Sequence, residues 1–174
     1  EGTKQDSLEF SLMKARLEIY YENIPANALR LFESKYAENP SDANLYGLAL
    51  AHKKNNNFNE GLASLDKLLE KYPKNLVLNT TKVEFLSYFN KFNDALDLAN
   101  KFLEISPKNY PLSISKSQIL LNMGQYFESE EIIRDQLLRK NDSPDLWFML
   151  SETQKTSQNI VGYHQSRAEY FLLL

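Results

Sequence analysis

The sequence repeats itself about every 34 residues, and that period leaves few folds open. Phe58, Phe92 and Tyr126 stand 34 apart, as do Glu60, Asp94 and Glu128, and Asn56, Asn90 and Gly124. Ala28, Gly61, Ala95 and Ser129 follow at steps of 33, 34 and 34, and Pro40, Pro73 and Pro107 at 33 and 34. A period of roughly 20–50 residues marks a stack of small supersecondary units, none of which buries its apolar face alone.

Each ladder has a physical reason if the unit is a pair of antiparallel helices. The first helix must stop and turn back within a few residues, which needs a left-handed residue, and Gly or Asn takes that conformation at least cost. Asn56, Asn90 and Gly124 occupy that place, and the aromatic two residues later opens the second helix and plugs the turn. The small residue three further on lets the two backbones approach. The proline follows the second helix and ends it, lacking an N–H and restricting the residue before it.

The period predicts five pairs, at 7–21 and 26–38, 42–54 and 58–72, 76–89 and 92–104, 109–122 and 126–140, and 144–156 and 159–174. No Pro-, Gly- or Ser-rich linker divides them, so the chain reads as one continuous domain over 1–174. Helical spacing supports the segments: Leu62, Leu65, Leu69 and Tyr72 share one face, as do Ala95, Ala99 and Phe102. The first helix is apolar on two sides, with Leu8, Leu12, Ala15 and Ile19 on one and Phe10, Met13, Leu17 and Tyr20 on the other. Ser41 or Asp42, Asn75, Asn109 and Ser143 are expected N-caps, the last followed by Pro144 at the first helical position. Asn57 with Glu60 has the spacing of a capping box.

Composition closes off several function classes. Net charge is −3, which gives no basic field for nucleic acid, and no apolar run reaches the length of a membrane span. Cysteine is absent and there are only two histidines, His52 and His164, at no His-Glu-x-x-His spacing. Neither a catalytic nor a metal-binding residue is therefore assigned, and no cofactor is expected in this chain. His52 sits at a bulky core position, His164 lies beside Arg167 and Glu169, and Glu128, Glu130 and Glu131 read as a solvated face. The chain opens at Glu1 without Met and closes on Leu172, Leu173 and Leu174, so it is expected to be a fragment of a longer protein.

A bulky residue, a Leu, a small residue and a second bulky residue recur in the first helix of a pair as Leu45, Leu48, Ala49 and His52, and again as Trp147, Leu150, Ser151 and Gln154. On these residues and the turn pattern the chain resembles tetratricopeptide repeats. Asn79, Lys82 and Val83, then Ser113, Lys116 and Ser117, depart from that consensus in the third and fourth units. The resemblance implies an all-α, right-handed superhelical solenoid of about five helix-turn-helix repeats. A narrower resemblance rests on Tyr46-Gly47-Leu48-Ala49-Leu50-Ala51, Asp145-Leu146-Trp147 and His164-Gln165-Ser166-Arg167-Ala168-Glu169-Tyr170-Phe171. These segments are similar to the C-terminal repeat region of bacterial periplasmic zinc metallopeptidases of the beta-barrel assembly-enhancing type. That would make this chain a non-enzymatic accessory domain in outer-membrane protein quality control, with a periplasmic location and zinc only in a peptidase domain outside it. The alternative is a free-standing adaptor or scaffold.

The resemblance also implies where a partner would bind. First helices line a concave groove at places 2, 5, 9, 12 and 13, with Asp42 as place 1 of the second unit. Partner-binding residues are expected at Tyr20, Tyr46, Lys53, Lys54, Glu84, Tyr88, Gln118, Phe148 and Glu152, with Met13, Leu17 and Tyr21 beside Tyr20. Aromatics with mixed charges suit an extended peptide or a helix of a partner protein, although each aromatic could instead pack against the neighbouring repeat. Expected partners are a protein or peptide segment, an attached peptidase domain, or a second copy associating through residues 170–174.

Overall fold

The computed structural model describes the backbone of residues 2–174 and side chains from Leu8 onward. Ten helices and no strand occur among the described residues. They run α1 Gly2–Tyr21, α2 Pro25–Glu38, α3 Asp42–Lys54, α4 Phe58–Lys71, α5 Leu76–Tyr88, α6 Phe92–Ile105, α7 Tyr110–Asn122, α8 Tyr126–Arg139, α9 Pro144–Thr156 and α10 Ile160–Leu172. Most bounds fall within two residues of the sequence expectation; α1 starts five residues earlier.

The turns form as the ladders require. Asn56, Asn90 and Gly124 have φ of 60°, 57° and 78°, and Gln158 joins them at 61°. No Gly or Asn marks position 158, so the fourth left-handed residue is not visible in the sequence. The small-residue ladder is interior: Ala28, Ala95 and Ser129 have no exposed surface. A Cβ on Gly61 would lie 2.6 Å from the Phe85 ring and 3.2 Å from the Ala49 carbonyl. Phe58 meets Phe85 of the following helix at 5.7 Å between ring centroids, so this aromatic packs forward onto the next pair.

Three of the expected caps form, with Asn44 N donating to Ser41 Oγ at 3.2 Å, Leu78 N to Asn75 Oδ1 and Leu112 N to Asn109 Oδ1, both at 3.0 Å. Two do not. Ser143 caps nothing with its side chain, although Pro144 does open α9. Asn57 turns away from its own helix, its Nδ2 lying 3.3 Å from His52 Nδ1, so the capping box with Glu60 is absent. Competition from that neighbouring ring is the physical reason.

Contacts cluster into two compact units, Glu1–Phe85 and Leu86–Leu174, divided within α5. In the first unit α3 packs on α1, α2 and α4, and its core holds Leu12, Phe32, Tyr46, Leu65 and Leu78. In the second, α7 packs on α6 and α8, and α9 on α8 and α10. One core cluster there joins Ile133 and Leu137 of α8 to Leu146 and Leu150 of α9.

Candidate partner-binding site

Of the two apolar sides of α1, the structure buries one. Leu12, Ala15 and Ile19 face the core, while Phe10, Met13, Leu17, Tyr20 and Tyr21 stand open along the other flank, continued by Ile24. Spacings of 3, 4 and 3 place Phe10, Met13, Leu17 and Tyr20 on one stripe of the helix. Tyr20 and Tyr21 meet edge to face at 5.3 Å, which fixes two large apolar rings in solvent. Beside the stripe lies a cleft of about 440 Å³ walled by Phe10, Lys14, Glu18, Phe32, Lys35 and Asn39. Lys35 and Glu18, both in its lining, form an ion pair.

The other first-unit residues named from the sequence are engaged internally. Tyr46, expected to face a partner, has 0 % exposure. Its hydroxyl accepts from Arg16 Nε at 2.9 Å and lies 2.9 Å from Thr81 Oγ1. Arg16 also donates through Nη2 to Thr81 Oγ1 at 2.8 Å and to Glu84 Oε2 at 3.0 Å. This polar cluster joins α1, α3 and α5, and it explains why a tyrosine sits in the interior: an aromatic body fills the core and its one polar atom is satisfied. Burial opposes charge on Arg16, and Tyr46 and Glu84 more than offset it, so its pKa rises. Burial pushes the Tyr46 phenol up, and lowers Lys53 against the opposing pull of Glu84. Lys54 donates to the carbonyls of Ile19 and Glu22, which are orphan acceptors at the end of α1. Lys54 thus caps a neighbouring helix.

The second unit keeps its named residues at the surface. Tyr88 is exposed and meets Phe89 edge-on at 5.0 Å. Gln118 is exposed and donates weakly to Asn122 Oδ1 at 3.3 Å. Glu152 lies 4.0 Å from Lys155. Phe148 is 41 % exposed on α9, with its ring 5.5 Å from Tyr170 of α10.

Sequence reasoning missed the residue that organises the last pair. The Arg167 guanidinium stacks on Phe148, Tyr170 and Phe171 at 5.2, 4.9 and 5.0 Å, and its Nη1 is buried with no hydrogen-bond partner among the described residues. The signal was available, since Arg167 stands where the three preceding pairs carry Leu65, Ala99 and Ile133. His52 is half-buried, and burial lowers its pKa against the carboxylates of Glu60 and Glu33. His164 is exposed, edge-on to Tyr163. Among the described residues no group of three or more His, Cys, Asp or Glu could hold a metal ion, and no helix is long and apolar enough to cross a membrane.

Neither protein-family models nor curated proteins give a match to the chain. Solved structures do. A thermophilic TPR protein of Thermus thermophilus superposes with a TM-score of 0.74 at 19% identity, over 95% of this chain and 90% of that one. PilW, a widely conserved type IV pilus biogenesis factor, gives 0.73 at 16% identity, over 93% and 75%. MamA of Desulfovibrio magneticus RS-1, from residue 41 onward, gives 0.68 at 13% identity, over 94% of each chain. The likeness establishes the fold, an all-α array of tetratricopeptide-type helix pairs.

Proposed function

We propose that this chain is a protein–protein interaction module that acts through apolar surfaces left open on its repeats. The observation that carries the reading is the α1 stripe. Five large apolar side chains, Phe10, Met13, Leu17, Tyr20 and Tyr21, stand in solvent along one flank of one helix. Scattered exposed apolar residues are ordinary, but a contiguous stripe of aromatics and aliphatics is the composition of a binding surface. Its spacing along a helix suits a partner helix laid against it. In the second unit Tyr88 and Phe148 supply further exposed aromatic groups and Glu152 a charged one, while Tyr46 and Lys54 act within the fold.

The test is capture from the native lysate with three baits: the unaltered chain, the double variant L17S/Y20S, and L138S. Leu138 is 87 % exposed on α8, so its variant loses exposed apolar surface at a single position elsewhere. The reading expects partners held by the unaltered chain and by L138S to be lost from L17S/Y20S. Equal capture by all three overturns it.

Attachment to a zinc metallopeptidase, and with it a periplasmic location, rests on the resemblance of the segments 46–51, 145–147 and 164–171 alone. A free-standing adaptor fits the same surfaces. The gene separates the two: a His-Glu-x-x-His motif and an export signal upstream of Glu1 support the first, and their absence the second.

A further inference from the structure

We propose that the cleft between α6, α7 and α8 receives a tryptophan of a partner protein, its indole N–H donating to the Pro107 carbonyl and a neighbouring carboxylate pairing with Lys116. The inference rests on the interaction-module reading and names the partner's chemistry at a place outside the surfaces described above.

The repeat shows what this cleft lacks. Ser41, Asn75, Asn109 and Ser143 precede the first helices of four successive pairs at steps of 34. Two residues before each stands a backbone carbonyl, at Asn39, Pro73, Pro107 and Asn141. Three of these accept from a side chain in the first turns of the following helix. Asn44 Nδ2 donates to Asn39 O at 2.9 Å, Asn79 Nδ2 to Pro73 O at 3.1 Å and Trp147 Nε1 to Asn141 O at 2.8 Å. In α7 the place of Asn79 and Trp147 belongs to Ser113. That short side chain neither fills the space nor makes the bond. Among the described residues Pro107 O has no donor and the Ser113 hydroxyl no partner, although Ser113 is only 4 % exposed.

One turn along α7 the same comparison finds an unpaired charge. Lys82 Nζ in the preceding pair donates to Asp66 Oδ1 at 2.7 Å. Its counterpart 34 residues on is Lys116, but the counterpart of Asp66 is Asn100. Lys116 makes no ion pair or hydrogen bond among the described residues. Both places open into one cleft of about 520 Å³, walled on its apolar side by Leu103, Pro107 and Ile132. Small-ligand pockets span roughly 300–1,000 Å³. Glu131 and Asp135 also line it, the latter held by Arg139 at 2.8 Å. Their charge disfavours a bare anion, so the carboxylate is an adjunct and the indole the main contact.

The chain itself displays the fitting group. Trp147 packs against the cluster of α8 and α9 residues and gives its one N–H to the equivalent carbonyl. An indole joins large apolar area to a single donor, which an apolar wall beside one free carbonyl matches.

Amide-correlation NMR of the isotope-labelled chain, titrated with blocked dipeptides into the millimolar range, tests this. Acetyl-Trp-Glu amide should shift the amides of Ser113, Lys116 and Ile132 saturably. Acetyl-Phe-Glu amide lacks the donor and should bind about two- to tenfold more weakly. Acetyl-Trp-Gln amide lacks the charge and should bind about two- to fivefold more weakly. S113W supplies the indole from within and should abolish the response, while K116M should make the Glu and Gln dipeptides equivalent. Circular dichroism checks that each variant keeps its helix content, and the dipeptide series with K116M decides the matter if S113W does not fold. No response at these amides, equal binding of the Trp and Phe dipeptides, or a Glu–Gln difference unchanged in K116M overturns the proposal. A silent cleft leaves the capture test of the α1 stripe standing, and its control Leu138 does not line the cleft, so the two readings fail separately.

Discussion

Replacing Gly124 with Ala separates backbone strain from packing at the turn that repeats through the chain. Gly124 has φ of 78°, and a Cβ there would meet only Tyr126 Oη, at 4.0 Å. Crowding is therefore negligible, and the cost is that of holding an L-residue in the left-handed region, roughly 1–2 kcal/mol. Alanine also restricts the unfolded chain, which returns about 0.4–1 kcal/mol where the native conformation is unstrained. The net expectation for G124A is a loss of about 1 kcal/mol, or about 2–4 °C in melting temperature for a chain of this size. G124N should cost less, because Asn tolerates this region and holds the equivalent places at Asn56 and Asn90. Q158G runs the argument backwards: Gln158 sits at φ 61° without glycine's freedom, and relieving it should stabilise by about 0.5–1 kcal/mol. Urea unfolding followed by helical circular dichroism, with an unchanged slope, reads all three. G124A at or above wild-type stability, together with a destabilised Q158G, refutes the reasoning.

Tyr46→Phe removes the hydroxyl that accepts from Arg16 and meets Thr81 while keeping the ring. A lost hydrogen bond to a charged group implies about 1.5–3 kcal/mol of destabilisation by urea midpoint, and a neutral variant would show the cluster contributes nothing. Gly47→Ala places a Cβ 1.9–2.6 Å from three carbons of the Phe32 ring. Overpacking of about 1–3 kcal/mol should outweigh the roughly 1 kcal/mol gain in helix propensity, and adding Phe32→Leu should restore stability; no restoration would place the strain elsewhere. His52 is held below its ordinary pKa by burial, so the unfolded chain binds its proton first as pH falls. Stability from this group is complete above the unfolded value of about 6.5 and is lost as pH drops below it. H52Q should flatten stability against pH across that window, and an unchanged slope contradicts the assignment.

The fold was legible because its determinants are local. A left-handed turn residue, a small residue at helix contact and a proline stop each act within one pair, and repetition made them visible in register. Departures arose where the choice depends on a partner outside the residue's own helix. Asn57 had the spacing of a cap, but His52 offered its side chain another partner. Tyr46 had the place of a surface residue, yet Arg16 and Thr81, 30 and 35 residues away, make a buried tyrosine satisfiable. Lys54 had the place of a partner-binding residue and instead serves the end of α1, 35 residues earlier at Ile19. The stripe on α1 was legible as an apolar face, though which of its two faces stays open depends on α3, and periodicity alone does not choose. Arg167 broke the Leu65, Ala99, Ile133 series openly, but its meaning emerged only with the rings around it.

Site-specific photocrosslinking measures most directly whether the open faces are binding surfaces. p-Benzoylphenylalanine is placed at position 17 on the α1 stripe, at position 148 on α9, and at position 138 on α8 as a control that is more accessible than either. Illumination in the native cell should give discrete adducts, to another protein or to a second copy, from 17 and 148 and none from 138. Adducts from all three positions alike, or from 138 alone, would contradict the claim that this chain works through those faces.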